Sequence, residues 1–163
     1  IKEKDRKIAQ QEMEIRARDL HAEKELLVEY ANQLLSKNEA LEEKKTELEG
    51  KIELDQDGRT EIDKLVEKMH SAVHNDKDWA AFTLYFEAIF PDFFNDLRQD
   101  KNMELTLSEQ RLISLLKINL SNKEIGGLLN ISRDSVVKAK YRLKQKFGFK
   151  ESKEMESYLA KFN

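Results

Sequence analysis

Ten cations fall within residues 105–150 of this 163-residue chain: Arg111, Lys117, Lys123, Arg133, Lys138, Lys140, Arg142, Lys144, Lys146 and Lys150. Glu109, Glu124 and Asp134 oppose them, a balance of +7. Residues 1–104 run the other way, with 17 Lys and Arg against 26 Asp and Glu. Residues 151–163 hold two against three, so the net charge of −3 conceals a basic module on an acidic body. Such a module fits a polyanionic partner. Other chemistry finds little support. The chain has no Cys, which removes disulfides, thiol catalysis and Cys-ligated zinc. His70 and His74 share a helix face at i, i+4 spacing, but no third metal ligand accompanies them, and two solvated histidines are the better reading. Asp55, Asp57, Gly58 and Glu61 imitate part of a calcium loop with the wrong third position and loop length. No nucleophile–base pair, metal cluster or phosphate loop stands out, so neither an enzyme nor a cofactor is expected.

The cations need a frame, and their neighbours supply one. LTLSEQRLISLLK opens with a capping box, in which Thr106 accepts from the Glu109 amide and Glu109 reaches back. Leu112, Ile113, Leu115 and Leu116 form the apolar face of that helix. Asn119 stands where the chain must turn, and Asn tolerates the left-handed conformation. Ser121 and Glu124 make a second capping box for a short helix, 122–129, with Ile125, Leu128 and Leu129 apolar. Asn130 is again a turn residue, Ser132 caps a third helix and Gly148 ends it. A two-turn helix, a tight turn and a basic four-turn helix make a helix-turn-helix.

Helical phase divides the third helix, 133–147. Val136, Ala139, Leu143 and Phe147 form a core stripe, and Asp134, Val137, Lys138, Tyr141 and Gln145 lie opposite. An exposed Val and Tyr among lysines suits a helix in the major groove. Lys there donates to guanine, an apolar group touches a thymine methyl, and flanking cations hold phosphates. The expected base contacts are Val137, Lys138 and Tyr141. The expected phosphate contacts are Lys123, Arg133, Lys140, Arg142, Lys144 and Gln145.

The block LTLSEQRLISLLKINLSNKEIGGLLNISRDSVVKAKYRLKQKFGF resembles the LuxR/NarL-type helix-turn-helix, with its LTxxE opening, S-N-K-E-I, I-S-x-x-S-V and closing F-G. The tail ESKEMESYLAKF matches the family's fourth helix, with Met155, Leu159 and Phe162 on one side. Residues 60–163 also resemble the output region of Bacteroidetes regulators, whose Trp/Phe-rich segment ends in P-D-F-F. Those are often preceded by a coiled coil, a transmembrane helix and tetratricopeptide repeats. The resemblance implies a transcriptional regulator that binds double-stranded DNA. Asn119 and Asn130 replace two family glycines, and Gly126 replaces a small Ala. Gly126 and Gly127 together are expected to loosen their helix, by about 1 kcal/mol each relative to Ala. Val137 stands where the family often has Lys.

The expected fold is all-α, in three parts. Residues 1–56 hold Met13, Leu20, Leu27, Leu34, Leu41 and Leu48 every seven residues, with Asn38 in the other seam. That pattern predicts a dimeric coiled-coil helix, paired through Leu20, Leu27, Leu34, Asn38, Leu41 and Leu48. A solvated single helix or one arm of a hairpin are the alternatives. Residues 57–104 form an aromatic-rich helical connector, in which Thr60 caps a stripe of Ile62, Leu65, Met69 and Val73 and Pro91 starts a new helix. Trp79, Phe82, Tyr85, Phe86, Phe90, Phe93 and Phe94 are expected to be the core of a small subdomain there. Residues 105–163 form the DNA-binding domain. No apolar run approaches the ~20 residues of a membrane helix, so a cytoplasmic location is expected. The first residue is Ile, so a fragment is expected, with a sensor or membrane segment upstream. A sigma-factor-like promoter-binding domain and a coiled-coil scaffold without DNA binding are the alternative functions.

Overall fold

The computed structural model describes residues 2–51, 60, 63–65 and 76–162, and no strand occurs among them. The helices are α1 (Lys2–Lys51), α2 (Asp76–Ile89), α3 (Phe93–Lys101), α4 (Leu107–Lys117), α5 (Asn122–Leu129), α6 (Arg133–Lys146) and α7 (Ser152–Lys161). None is long and apolar enough to cross a membrane. His70, His74, Asp55, Asp57, Gly58, Glu61, Ile62, Met69 and Val73 lie outside the described residues. Leu65 is described and exposed.

Local chemistry sets the helix ends. Thr106 and Ser121 each accept from the amide three residues on and are answered by Glu109 and Glu124, completing both capping boxes. Ser132 accepts from the Ser135 amide at 3.1 Å. Asn119, Asn130 and Gly148 take φ values of 60°, 54° and 77°, the left-handed region that Asn and Gly enter most readily. Pro91 separates α2 from α3, as its missing amide and fixed φ require.

The aromatic segment does not form a core of its own, and Tyr85, expected in it, is exposed. The two short helices α2 and α3 cannot cover their own rings, so those rings face the rest of the chain. Phe86 meets Phe82, Phe90, Phe93 and Phe94 with centroids 4.9–6.3 Å apart. The cluster then runs on through Phe93 to Phe162 beyond α7 and through Leu97 and Leu105 to Leu112, Ile113 and Leu115 of α4. Tyr158 of α7 packs on Phe147, Phe149 and Phe162 and donates to Asp100 of α3. One contiguous core therefore spans the boundary expected at residue 104.

The apolar stripe of α1 has a partner within the chain, which corrects the expectation for part of it. Leu27 and Ala31 are 2% and 0% exposed and belong to the common core, with Val28, Tyr30, Leu34 and Leu35 packed against it. α2 and α5 supply the opposing surfaces. Asn38 donates to the Gly127 carbonyl at 2.9 Å instead of pairing with a second Asn38. Leu20 and Leu41 are half-buried, and Leu48 is exposed. A stripe of period seven marks an apolar helix face and leaves open what covers it. Upstream, residues 2–19 of α1 are exposed on every side, including Ile8, Met13 and Ile15.

Candidate nucleic-acid interface

α5 and α6 meet at a tight turn whose geometry depends on Gly126. Its carbonyl accepts from the amides of Asn130 and Ile131, and a Cβ there would come within 2.8 Å of the Ile131 carbonyl oxygen. The glycine thus lets the turn close onto α5. Val136, at 0% exposure, anchors α6 behind it, and Leu143 and Phe147 continue the buried face. Gly127 serves a second contact. An added Cβ would lie 2.2 Å from Leu35 Cδ1, so the missing side chain makes the notch in which α1 rests. Sequence reasoning took the pair as loosening the helix, because a close approach from residues distant in the chain leaves no local signal.

The face of α6 opposite its core stripe is open. Val137 is 47% and Tyr141 53% exposed, with Asp134, Lys138 and Gln145 exposed beside them. Gln145 donates its amide to the Tyr141 hydroxyl at 2.7 Å, and the Lys144 ammonium lies 4.9 Å from the Tyr141 ring centroid. The tyrosine thus touches its neighbours along the helix and stays about half exposed.

The cations fall into two groups. Lys123, Arg133, Lys138 and Arg142 are exposed and make no ion pair or hydrogen bond through their side chains among the described residues. Others turn inward. Lys146 binds Glu109 at 2.8 Å and the Glu104 carbonyl at the same distance. Burial would raise the Glu109 pKa, but the Lys146 ammonium and the Thr106 amide outweigh it and hold the carboxyl below its ordinary range. Lys101 donates to the Phe147 carbonyl at 3.3 Å and lies over Phe149 and Tyr158. Lys144 is half-buried and donates to the Lys150 carbonyl at 3.0 Å.

Lys140 departs from the phosphate-contact expectation. Its side chain is 19% exposed, donates to Asn122 Oδ1 at 3.2 Å and pairs with Glu156 at 3.8 Å. At about 100° per residue, a position four after Val136 stands some 40° from the core stripe. Lys140 thus ties α6 to α5 and α7. Of the other expected contacts, Val137, Lys138 and Tyr141 share one exposed face, and Lys123 projects from the first turn of α5. Asp100, Lys101, Lys117 and Tyr158, which brace this module on α3 and α7, were not singled out as joining residues. Their partners lie 42–58 residues away in the chain. Among the described residues no group of three or more His, Cys, Asp or Glu side chains is placed to hold a metal.

No family model matches the chain, and neither a curated protein nor a solved structure does.

Proposed function

We propose that the chain is a sequence-specific DNA-binding regulator of transcription, of the LuxR/NarL type that residues 105–162 resemble, with α6 in the major groove and the start of α5 against the backbone. One observation carries this reading. Lys123, Arg133, Lys138 and Arg142 are exposed on α5 and α6 and unpaired among the described residues, and Arg133, Lys138 and Arg142 share α6 with the exposed Val137 and Tyr141. A face built for solvation alone has no use for a half-exposed Val and Tyr among unpaired cations, whereas a groove-reading helix uses both. Lys138 would donate to guanine N7 or O6, Val137 would meet a thymine methyl, and Tyr141 would reach a base edge or a phosphate. Lys123, Arg133 and Arg142 would set the register on phosphates.

An operator of two half-sites needs two copies of the chain. Within α1, Leu27, Leu34 and Asn38 already meet the body. We infer that pairing uses the exposed arm, residues 2–19, where Ile8, Met13 and Ile15 are exposed. The test is selection of bound duplexes from a random pool, repeated with Lys138→Ala and Tyr141→Ala. A consensus whose preference relaxes at one position for each variant supports the assignment, and recovery of unselected sequence counts against it.

A further inference from the structure

Residues 79–86 of α2 carry no charge. Trp79, Phe82 and Phe86 fill the core, yet Leu84, Tyr85 and Ala88 are exposed on the outer side. A helix that is apolar on both sides is normally covered on both. Here the outer side borders a groove of about 540 Å³ between α1 and α2. Leu26, Tyr30, Tyr85, Ala88 and Ile89 give the groove its apolar lining, and Leu26 is 66% exposed. Its charged lining residues are both acidic, Glu23 and Glu29.

The chain also holds a segment of matching shape. Ile8 and Ile15 are exposed on the arm of α1. From Ile8 to Leu26 is about five full turns, so the two share one face of α1, and Ile15 stands about 20° from it. That face is about 100° from Leu27 and the stripe in the common core. A two-fold interface uses the same patch on both copies. α1 meets this condition, because the arm's isoleucines and the groove's Leu26 lie on one face. A second copy laid antiparallel would set its Ile8 on this copy's Leu26, and the reverse.

Charge selects that direction. Residues 2–7 hold four cations against two carboxylates, residues 8–18 two against two, and residues 19–29 one against four. Parallel pairing in register opposes basic to basic and acidic to acidic. Antiparallel pairing centred in the neutral stretch carries the basic start of one arm toward the acidic segment of the other copy.

We propose that the groove between α1 and α2 receives the arm of a second copy, in an antiparallel two-fold pairing centred near residue 17. The proposal rests on the pairing role of the arm given above and names the surface on which the arm lies. Each copy then covers the other's groove, and the outer side of α2 gains the cover that its sequence calls for.

The test uses the full chain without DNA. The chain has no Cys, so a spin label on Lys2→Cys reports a single distance between copies. Pulsed electron spin resonance on the associated chain should give about 45 Å, from about 30 residues of axial offset. A parallel seam would give about 25 Å or less. Sedimentation equilibrium then compares variants whose thermal midpoints match the parent. Ala88→Lys on α2 and Leu26→Ser on α1 should each weaken association about tenfold or more. Thr83→Lys, exposed on α2 outside the groove, should retain it. A chain that stays monomeric at every concentration would overturn both this contact and the pairing role of the arm. A short distance in the associated chain, or association unchanged in both groove variants, would overturn the groove contact alone.

Discussion

The side-chain amide of Asn38 donates to the backbone carbonyl of Gly127 across 2.9 Å, joining two residues 89 positions apart. Gly127 lies in the last turn of α5, where carbonyls lack helical partners. The long α1 thus caps the first helix of the helix-turn-helix, and Leu35 fills the notch beside it. α5 thus makes both contacts with α1, and the Gly126 turn joins it to α6.

The Leu35–Gly127 contact should show as coupling. Gly127→Ala gains about 1 kcal/mol of helix propensity and pushes the flexible tip of Leu35 aside, an overpacking cost at the low end of the usual range, about 1 kcal/mol. Leu35→Ala removes the clash. Urea unfolding of the two single variants and the double should therefore give a favourable coupling of about 1 kcal/mol. Additive effects would mean that α1 does not rest on Gly127.

Leu27 and Met13 lie on the same heptad stripe and should behave differently. Leu27 is buried in the common core, so Leu27→Ala should cost about 2–5 kcal/mol at any protein concentration. Met13 is exposed on the arm. Met13→Lys should leave monomer unfolding within about 0.5 kcal/mol and reduce self-association in sedimentation runs. A concentration-dependent loss in Leu27→Ala would return Leu27 to a dimer seam.

Alkaline stability isolates Lys117. Its folded pKa of about 8 lies below the unfolded value of 10.5. Between these values the unfolded chain holds more protons, so this group makes stability rise with pH from about 8 to 10.5 and contributes no slope well below 8. Tyr158 acts oppositely above its ordinary value, because burial and the Asp100 bond raise its pKa. The difference between the parent chain and Lys117→Met, followed by urea unfolding across this range, should carry the Lys117 slope alone. A flat difference would contradict the burial of this ammonium.

Reading and holding should separate on α5 and α6. Lys138→Ala should cost about 1–3 kcal/mol at one base-pair position and relax the preference there. Lys123→Ala should weaken all duplexes alike and reduce the salt slope by about one. Lys140→Ala should lower folding stability and leave the salt slope unchanged, because its ammonium already holds Asn122 and Glu156.

The ends of the helices were legible because capping is local. Thr106, Ser121 and Ser132 find their partners three residues away, and Asn119, Asn130 and Gly148 mark the left-handed positions themselves. The open face of α6 was legible from helical phase. The cover of the α1 stripe was not, since apolar periodicity is the same whether a second copy or the chain's own α2 and α5 lies opposite. Lys140 was misplaced for a related reason. Its charge grouped it with the flanking cations, while its phase put it near Val136, and the acceptors at Asn122 and Glu156 are visible only once α5 and α7 are packed.

Salt dependence of duplex binding tests the central claim most directly. With Lys123, Arg133 and Arg142 on phosphates, log K against log salt should fall with a slope of about −3 per chain. The slope should shrink toward zero in the variant with all three changed to Ala, and it should persist in Lys140→Ala. Duplex binding without salt dependence, or none at low salt, would contradict the assignment of α5 and α6 as a DNA-binding surface.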